Sequence, residues 1–460
     1  MGAVELQRLI RRKEVSPVEV IQASLARQEE VEGKINAFVR TTPELAMDAA
    51  RIAEGRIMNG TSNSLTGIPI SVKDLIDVAG VETTFGSKTM VGNIPHADAP
   101  SVSRLKKSGA CIVGKTTTTE FGCKAGGGDS PLTGITRNPW DLSKSTGGSS
   151  AGAAASVASG VTPLAVGTDG GGSVRIPAAL CGLVGIKAQF GRVPVYPSGA
   201  TPTLGHVGAI ARSVEDAALL LSVIAGYDRR DPASIPDTGV DYVESCGQDA
   251  SGLRVAFSPT LGFAKPSREV LEITQLSAER LESEGIEVDF LESVFPTDPI
   301  DLWNSEFYAG VGVKLRNALE SSEEQIDPAV VKLLKGALYG QSVQDYVTRL
   351  FERYEFREAF RRTFEPYDIL LTPTLPVAEL DAGQNVPRGY EDRSIVSWVY
   401  YTYPFNLTGN PAISIPCGRT SHGMPVGLQI VAQAHRETDA IRLAAQLERM
   451  APWTQLAPIP

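Results

Sequence analysis

The chain has 460 residues, 42% hydrophobic and 21% charged, which supplies a large packed core. Its formal net charge of −10 argues against a nucleic-acid partner, which would want a basic face. Five cysteines (Cys111, Cys123, Cys181, Cys246, Cys417) form no C-x-x-C pair, and four histidines (His96, His206, His422, His435) have no zinc-ligand spacing, so a disulfide framework, a metal site and a cofactor are not expected.

In chain order, residues 3–59 read as helices, with Ser16-Pro17 as cap and first turn. Glu5 and Arg8 stand where a signal peptide needs apolar residues, and no segment reaches the ~18 apolar residues of a membrane helix. The expectation is a cytoplasmic protein without membrane contact. A strand over 67–72, a helix over 100–108 and a buried strand over 110–113 follow. Next come a helix over 150–159, a strand over 163–167 and helices over 174–180 and 214–226. Strands at 253–257, 369–372, 412–415 and 426–431 interleave with helices at 267–284, 300–319, 328–337, 342–364 and 436–449. This alternation predicts an α/β fold: one large domain, with a central mixed sheet covered by helices on both faces. Within it, 1–60 are N-terminal helices, 61–215 the catalytic core, and 216–460 the cleft and C-terminal part. The polar stretch 227–251 reads as a surface excursion.

Residues 122–191 hold 16 of the 45 glycines. A flexible linker does not explain them, because Ala153–Ala155, Val157, Leu164-Ala-Val166 and Leu183-Val184 lie between them. Glycine within a packed core means close backbone approach, positive φ, or N–H groups aimed at a ligand.

Two patterns match by accident. Gly109-Ala-Cys-Ile-Val-Gly-Lys-Thr116 fits a phosphate loop, but that loop must follow a strand, and here the apolar residues are themselves the strand. Gly148-Ser-Ser-Ala-Gly152 fits a nucleophile elbow, but polar residues 137–146 precede it where a strand is needed.

A longer ordered set remains. It comprises Ser71-Val-Lys73-Asp74, Gly147-Gly-Ser149-Ser150, and Asp169-Gly-Gly-Gly-Ser173-Val-Arg175. Gly114-Lys-Thr116, Arg137-Asn-Pro-Trp140, Pro404-Phe-Asn-Leu-Thr-Gly409 and Gly423-Met-Pro-Val-Gly-Leu-Gln429 extend it. Together they resemble the amidase signature family, in which the serine of Asp-x-Gly-Gly-Ser follows the first serine of Gly-Gly-Ser-Ser by 24 residues. Ser173 follows Ser149 by the same 24. Gly170 departs from the family, which commonly has threonine or a larger residue there.

A serine nucleophile needs a base, and no histidine lies near either serine motif. Lys73 can serve only if neutral, and its flanks, Ile68, Ile70, Val72, Leu75 and Ile76, are apolar enough to bury it. The resemblance implies that Ser173 attacks the amide carbonyl and Ser149, after a cis Gly148–Ser149 bond, relays the proton to Lys73. It also implies that the N–H groups of Gly170, Gly171, Gly172 and Ser173 receive the oxyanion. Gly148, Ser150 and an Asp169–Arg175 pair are expected as structural support.

The implied activity is hydrolysis of carboxylic amides to acid plus ammonia or amine. Five aromatics among Trp398–Phe405 favour apolar or aromatic substrates. Gly122, Cys123, Arg353, Trp398 and Tyr401 are candidate substrate contacts. The alternatives are the glutamine-hydrolysing chain of a tRNA-dependent amidotransferase and an inactive scaffold or partner subunit. Those glutamine-hydrolysing chains carry an aspartate where this chain has Val399, although Arg353 matches their substrate-carboxylate arginine. The partner expected is a small-molecule amide, and a homodimer is left open.

Overall fold

Fifteen strands occur in the computed structural model, which describes residues 1–237, 239–453 and 456–459. In the first half they are β1 (Phe38–Thr41), β2 (Pro69–Lys73), β3 (Cys111–Thr116), β4 (Asp129–Ser130), β5 (Gly134–Ile135), β6 (Arg137–Asn138), β7 (Asp141–Ser145), β8 (Leu164–Asp169), β9 (Val184–Lys187) and β10 (His206–Ala211). The second half adds β11 (Val255–Phe257), β12 (Val288–Phe290), β13 (Ile369–Pro373), β14 (Ala412–Arg419) and β15 (Pro425–Ala432). Eleven of them share one sheet, in the order β1-β3-β2-β8-β10-β9-β14-β15-β13-β11-β12. The pairs β4-β5 and β6-β7 stand apart as short ribbons.

The halves of the chain join within the sheet, where β9 pairs with β14 and Lys187 lies opposite Ala412. The result is a single large α/β domain. β2 runs parallel to β3 and β8. Every residue of β2 and β3 is buried, as expected of strands covered on both faces. The helix Ala151–Ala158 is buried along its whole length, and its small residues let it lie close to the sheet. A second, more aromatic core lies on the helices of the second half, with Trp303, Phe307, Tyr308, Phe356 and Phe360.

The reading of 3–59 as helices alone needs correction. The helix Pro17–Ile35 is capped by Ser16 and ends at Asn36 in the left-handed region (φ 51°). The next residues then form β1, antiparallel to β3. Four residues at a sheet edge carry too short a pattern to separate from flanking helices. β9 and β10 are likewise hidden in sequence by the glycines around them. Among the described residues no helix is long and apolar enough to cross a membrane.

Candidate active site

Lys73 is the last residue of β2 and Asp169 the last of β8. The site therefore opens at the carboxyl ends of parallel strands, where loops leave the sheet and backbone groups become free. The Lys73 amine is fully buried. Its Nζ lies 2.7 Å from Ser149 Oγ, 2.9 Å from Ser150 Oγ and 2.9 Å from Thr168 Oγ1. A neutral amine suits these three contacts, with two N–H groups to donate and one lone pair to accept. Burial pushes the lysine well below its ordinary value, and the opposing pull of Asp169 does not restore it. No carboxylate pairs with Lys73 among the described residues. Asp169 is already engaged, because Arg175 donates to it from Nε at 3.0 Å and from Nη2 at 2.9 Å.

The Gly148–Ser149 peptide is cis. Ser149 and Ser173 line one cavity of about 470 Å³. Ser173 is partly exposed to it, and its hydroxyl makes no hydrogen bond among the described residues. Catalytic hydrogen bonds in unliganded sites are often open and close on the substrate. The Ser173 carbonyl accepts from Ser150 N–H at 3.2 Å, which ties the two serine motifs together. Gly122 borders both Ser149 and the cavity; a Cβ there would sit 3.2 Å from Ser149 Oγ.

The loop from Asp169 to Ser173 is pinned through its carbonyls. Asn406 Nδ2 donates to Asp169 O at 3.1 Å, Trp303 Nε1 to Gly170 O at 2.7 Å, and Thr402 Oγ1 to Gly171 O at 2.7 Å. In a planar trans peptide the N–H points opposite to the C=O, so Gly170 and Gly171 turn their N–H groups away from these pins. Those two N–H groups and that of Ser173 have no acceptor among the described residues. Gly172 is a correction. Its N–H donates to Asp169 Oδ1 at 2.8 Å and is not free for an oxyanion. Burial alone would raise the Asp169 carboxyl, but Arg175, with further help from Lys187 and His206, holds it well below the usual range.

Four expected substrate contacts lie elsewhere. Cys123 is buried in the aromatic core, and its carbonyl accepts from Tyr308 Oη at 2.9 Å. Trp398 and Tyr401 are fully buried, with polar tips on Asn385 O (3.0 Å) and Pro259 O (2.6 Å). Arg353 donates to Glu306 Oε2 at 2.6 Å and to Leu407 O at 3.0 Å, and it lines neither cavity at Ser173. The aromatic wall comes instead from Phe85, Phe121, Tyr196 and Phe307. Phe85 and Phe121 stack at 6.4 Å between centroids. A smaller cavity, about 10 Å³, touches Gly171 and Ser173 under Trp303, Val399 and Tyr403. Thr168, Trp303 and Phe307 escaped sequence reasoning. Thr168 sits inside the signature and could have been flagged as a hydroxyl next to Asp169, whereas nothing local marks Trp303 or Phe307. Among the described residues no cluster of three or more His, Cys, Asp or Glu is arranged to hold a metal ion.

A buried lysine held by hydroxyls without a carboxylate partner, a serine in a cavity, and free loop N–H groups define a serine-based hydrolase of amide bonds. The Amidase family model matches residues 19–440, and the chain belongs to this family of amidase signature enzymes. An acylamidase of Rhodococcus erythropolis is 36% identical, covering 100% of this chain and 97% of that protein. The A chain of the glutamyl-tRNA(Gln) amidotransferase of Thermodesulfovibrio yellowstonii is 33% identical over 99% of this chain and 98% of its own length. A bacterial aryl acylamidase of the amidase signature family superposes with a TM-score of 0.93 at 29% identity, covering 100% of this chain and 98% of that one.

Proposed function

We propose that Ser173 is the nucleophile, Ser149 the relay and Lys73 the terminal base of an amidase for substrates with an apolar or aromatic body. The observation that carries this reading is the Lys73 amine, buried and 2.7 Å from Ser149 Oγ with no carboxylate partner among the described residues. Ser173 Oγ adds to the amide carbonyl carbon. Its proton passes to Ser149 Oγ while the Ser149 proton passes to Lys73 Nζ. The oxyanion is met by N–H groups of Gly170, Gly171 and Ser173. As the C–N bond breaks, Ser149 protonates the departing nitrogen and recovers a proton from Lys73. Water then repeats the sequence on the acyl ester and frees the acid and Ser173.

The apolar body fits the cavity wall, where Leu75, Phe85, Phe121 and Phe307 meet it. The name of the superposing aryl acylamidase points the same way. The amidotransferase reading fits less well. Val399 is buried and apolar, and the Arg353 guanidinium is turned to Glu306. The same reading takes residues 61–215 as the catalytic core, 216–460 as the cleft wall and 1–60 as a helical brace. It makes the protein a cytoplasmic enzyme with no nucleic-acid partner.

Two measurements test this. A fluorophosphonate probe followed by peptide mass spectrometry should mark Ser173; label on Ser150 with Ser173 untouched overturns the assignment. A panel of simple amides, read by ammonia and amine release, should show turnover by the chain alone. Glutamine as best substrate, and only with a second subunit present, would favour the amidotransferase reading.

A further inference from the structure

The large cavity is lined mostly by apolar side chains, among them Leu75, Ile76, Phe85, Met90, Phe121 and Phe307. Among the polar side chains that break that wall, two on neighbouring segments, Asp77 and Ser101, have no partner among the described residues. Asp77 lies on the lining, partly buried, with its carboxylate in no hydrogen bond or ion pair. Ser101 is 1% exposed, and its hydroxyl is buried without a partner on the same lining. The two segments run side by side, since Ala99 N–H donates to Asp77 O at 3.0 Å. Nearly all buried polar groups in folded proteins are paired; the Ser101 hydroxyl is an exception, and the partly exposed Asp77 carboxylate on the same lining has no protein partner to turn to among the described residues.

The cations that form ion pairs near Asp77 are engaged by other carboxylates. The Lys115 ammonium is bound to Asp74 at 2.9 Å and to Thr83 Oγ1 at 2.6 Å. Arg40 pairs with Glu82, and Lys106 with Asp98. Lys314, the basic residue of the lining, forms no ion pair with Asp77. Asp74 and Asp77 thus share one ammonium, which is bonded to Asp74, and Asp77 on the cavity lining has no ion pair of its own among the described residues. Burial accordingly raises its carboxyl, with Lys115 and Asp74 acting in opposite senses. One carboxylate and one hydroxyl are too few ligands for a divalent metal ion. They satisfy a compact ammonium, which needs two or three acceptors, better than a guanidinium with its five-donor fork.

We propose that Asp77 and Ser101 form a subsite for a primary ammonium group, so that the cavity accepts amides whose apolar body ends in a protonated amine. The substrate class rests on the Ser173 reading; the ammonium subsite does not. Near-isosteric pairs test it: 4-(aminomethyl)benzamide against 4-ethylbenzamide, and 4′-(aminomethyl)acetanilide against 4′-ethylacetanilide, which place the ammonium on the acyl or the amine side. In at least one pair the ammonium member should have a kcat/KM about tenfold higher, mainly through KM, as a charge-assisted hydrogen bond supplies. Asp77→Asn should bring that ratio to about one, and Ser101→Ala should lower it a few-fold, with thermal unfolding reporting that both variants fold. Equal or reversed preference in the parent enzyme in both pairs, or a preference that survives Asp77→Asn, overturns the proposal. Calorimetric binding to the Ser173→Ala chain, with and without Asp77→Asn, separates the two readings. Selective, Asp77-dependent binding without turnover of any amide would sink the nucleophile assignment and leave the subsite standing. Equal binding of both members in each pair would sink the subsite.

Discussion

The indole of Trp303 donates from Nε1 to the carbonyl of Gly170 at 2.7 Å, joining a helix of the second half to the loop that precedes Ser173. The same indole stacks on Phe307 at 4.4 Å and 20°. In the proposed mechanism Trp303 is a positioning residue, since holding the Gly170 carbonyl orients the Gly171 N–H. Trp303→Phe keeps an aromatic ring over Phe307 and removes the hydrogen bond. It should lower kcat about tenfold with KM little changed, the size expected for loss of one hydrogen bond. A tetrahedral-adduct inhibitor should weaken in parallel. Loss of thermal stability with kcat and inhibitor affinity intact would make Trp303 purely structural.

Gly170 is required by space. A Cβ there would lie 2.8 Å from the Phe307 ring. Gly170→Ala should destabilise the chain by about 1–3 kcal/mol, as overpacking does, and reduce turnover. Phe307→Leu should relieve part of the loss, so that the double variant is better than the sum of the singles. Additivity within about 0.5 kcal/mol in denaturant unfolding would show that the two sites do not touch. The contact also accounts for glycine at this position: in this chain Phe307 occupies the room.

In the proposed mechanism Lys73 sets the pH profile. Its folded-state value is lowered by burial, so the neutral base persists well below the ordinary lysine range. As pH falls through that lowered value the amine protonates and turnover declines; toward alkaline pH it holds. Lys73→Arg should cost about 10²–10⁴-fold in kcat, because guanidinium cannot accept a proton. A folded Lys73→Arg enzyme with near-parental rate would remove Lys73 from the proton path.

Glu448 gives a stability prediction away from the site. Its Oε2 accepts from Val214 N–H at 3.0 Å, and its Oε1 is buried without a partner among the described residues. Burial, with Asp216 and Glu215 nearby, pushes the carboxyl up to about 7 from an ordinary 4.5. The folded chain therefore binds the extra proton between those values, and its stability falls as pH rises through that window. Glu448→Gln keeps the acceptor and removes the charge. Its Tm gain over the parent should be roughly 2 °C or more at pH 8 and smaller at pH 5.5. An equal gain at both pH values would show that the carboxyl does not titrate there.

The α/β alternation and the positions of most long helices and sheet strands are legible in the order of residues, because apolar periodicity and capping residues such as Ser16 act locally. The ordered lysine and serine motifs are legible for the same reason, as are the 24-residue spacing from Ser149 to Ser173 and the apolar flanks of Lys73. What surrounds those motifs is not. The aromatic run at Trp398–Phe405 reads as a substrate wall, yet Trp398 and Tyr401 are buried with their polar tips on backbone carbonyls. The cavity wall is built instead by Phe85, Phe121, Tyr196 and Phe307, which are far apart in the chain. Gly172 looks like its neighbours, but a carboxylate three residues back captures its N–H. Which face a side chain presents, and which donor a neighbour has already taken, depend on segments that meet only in the folded sheet. No periodicity within one element encodes that meeting.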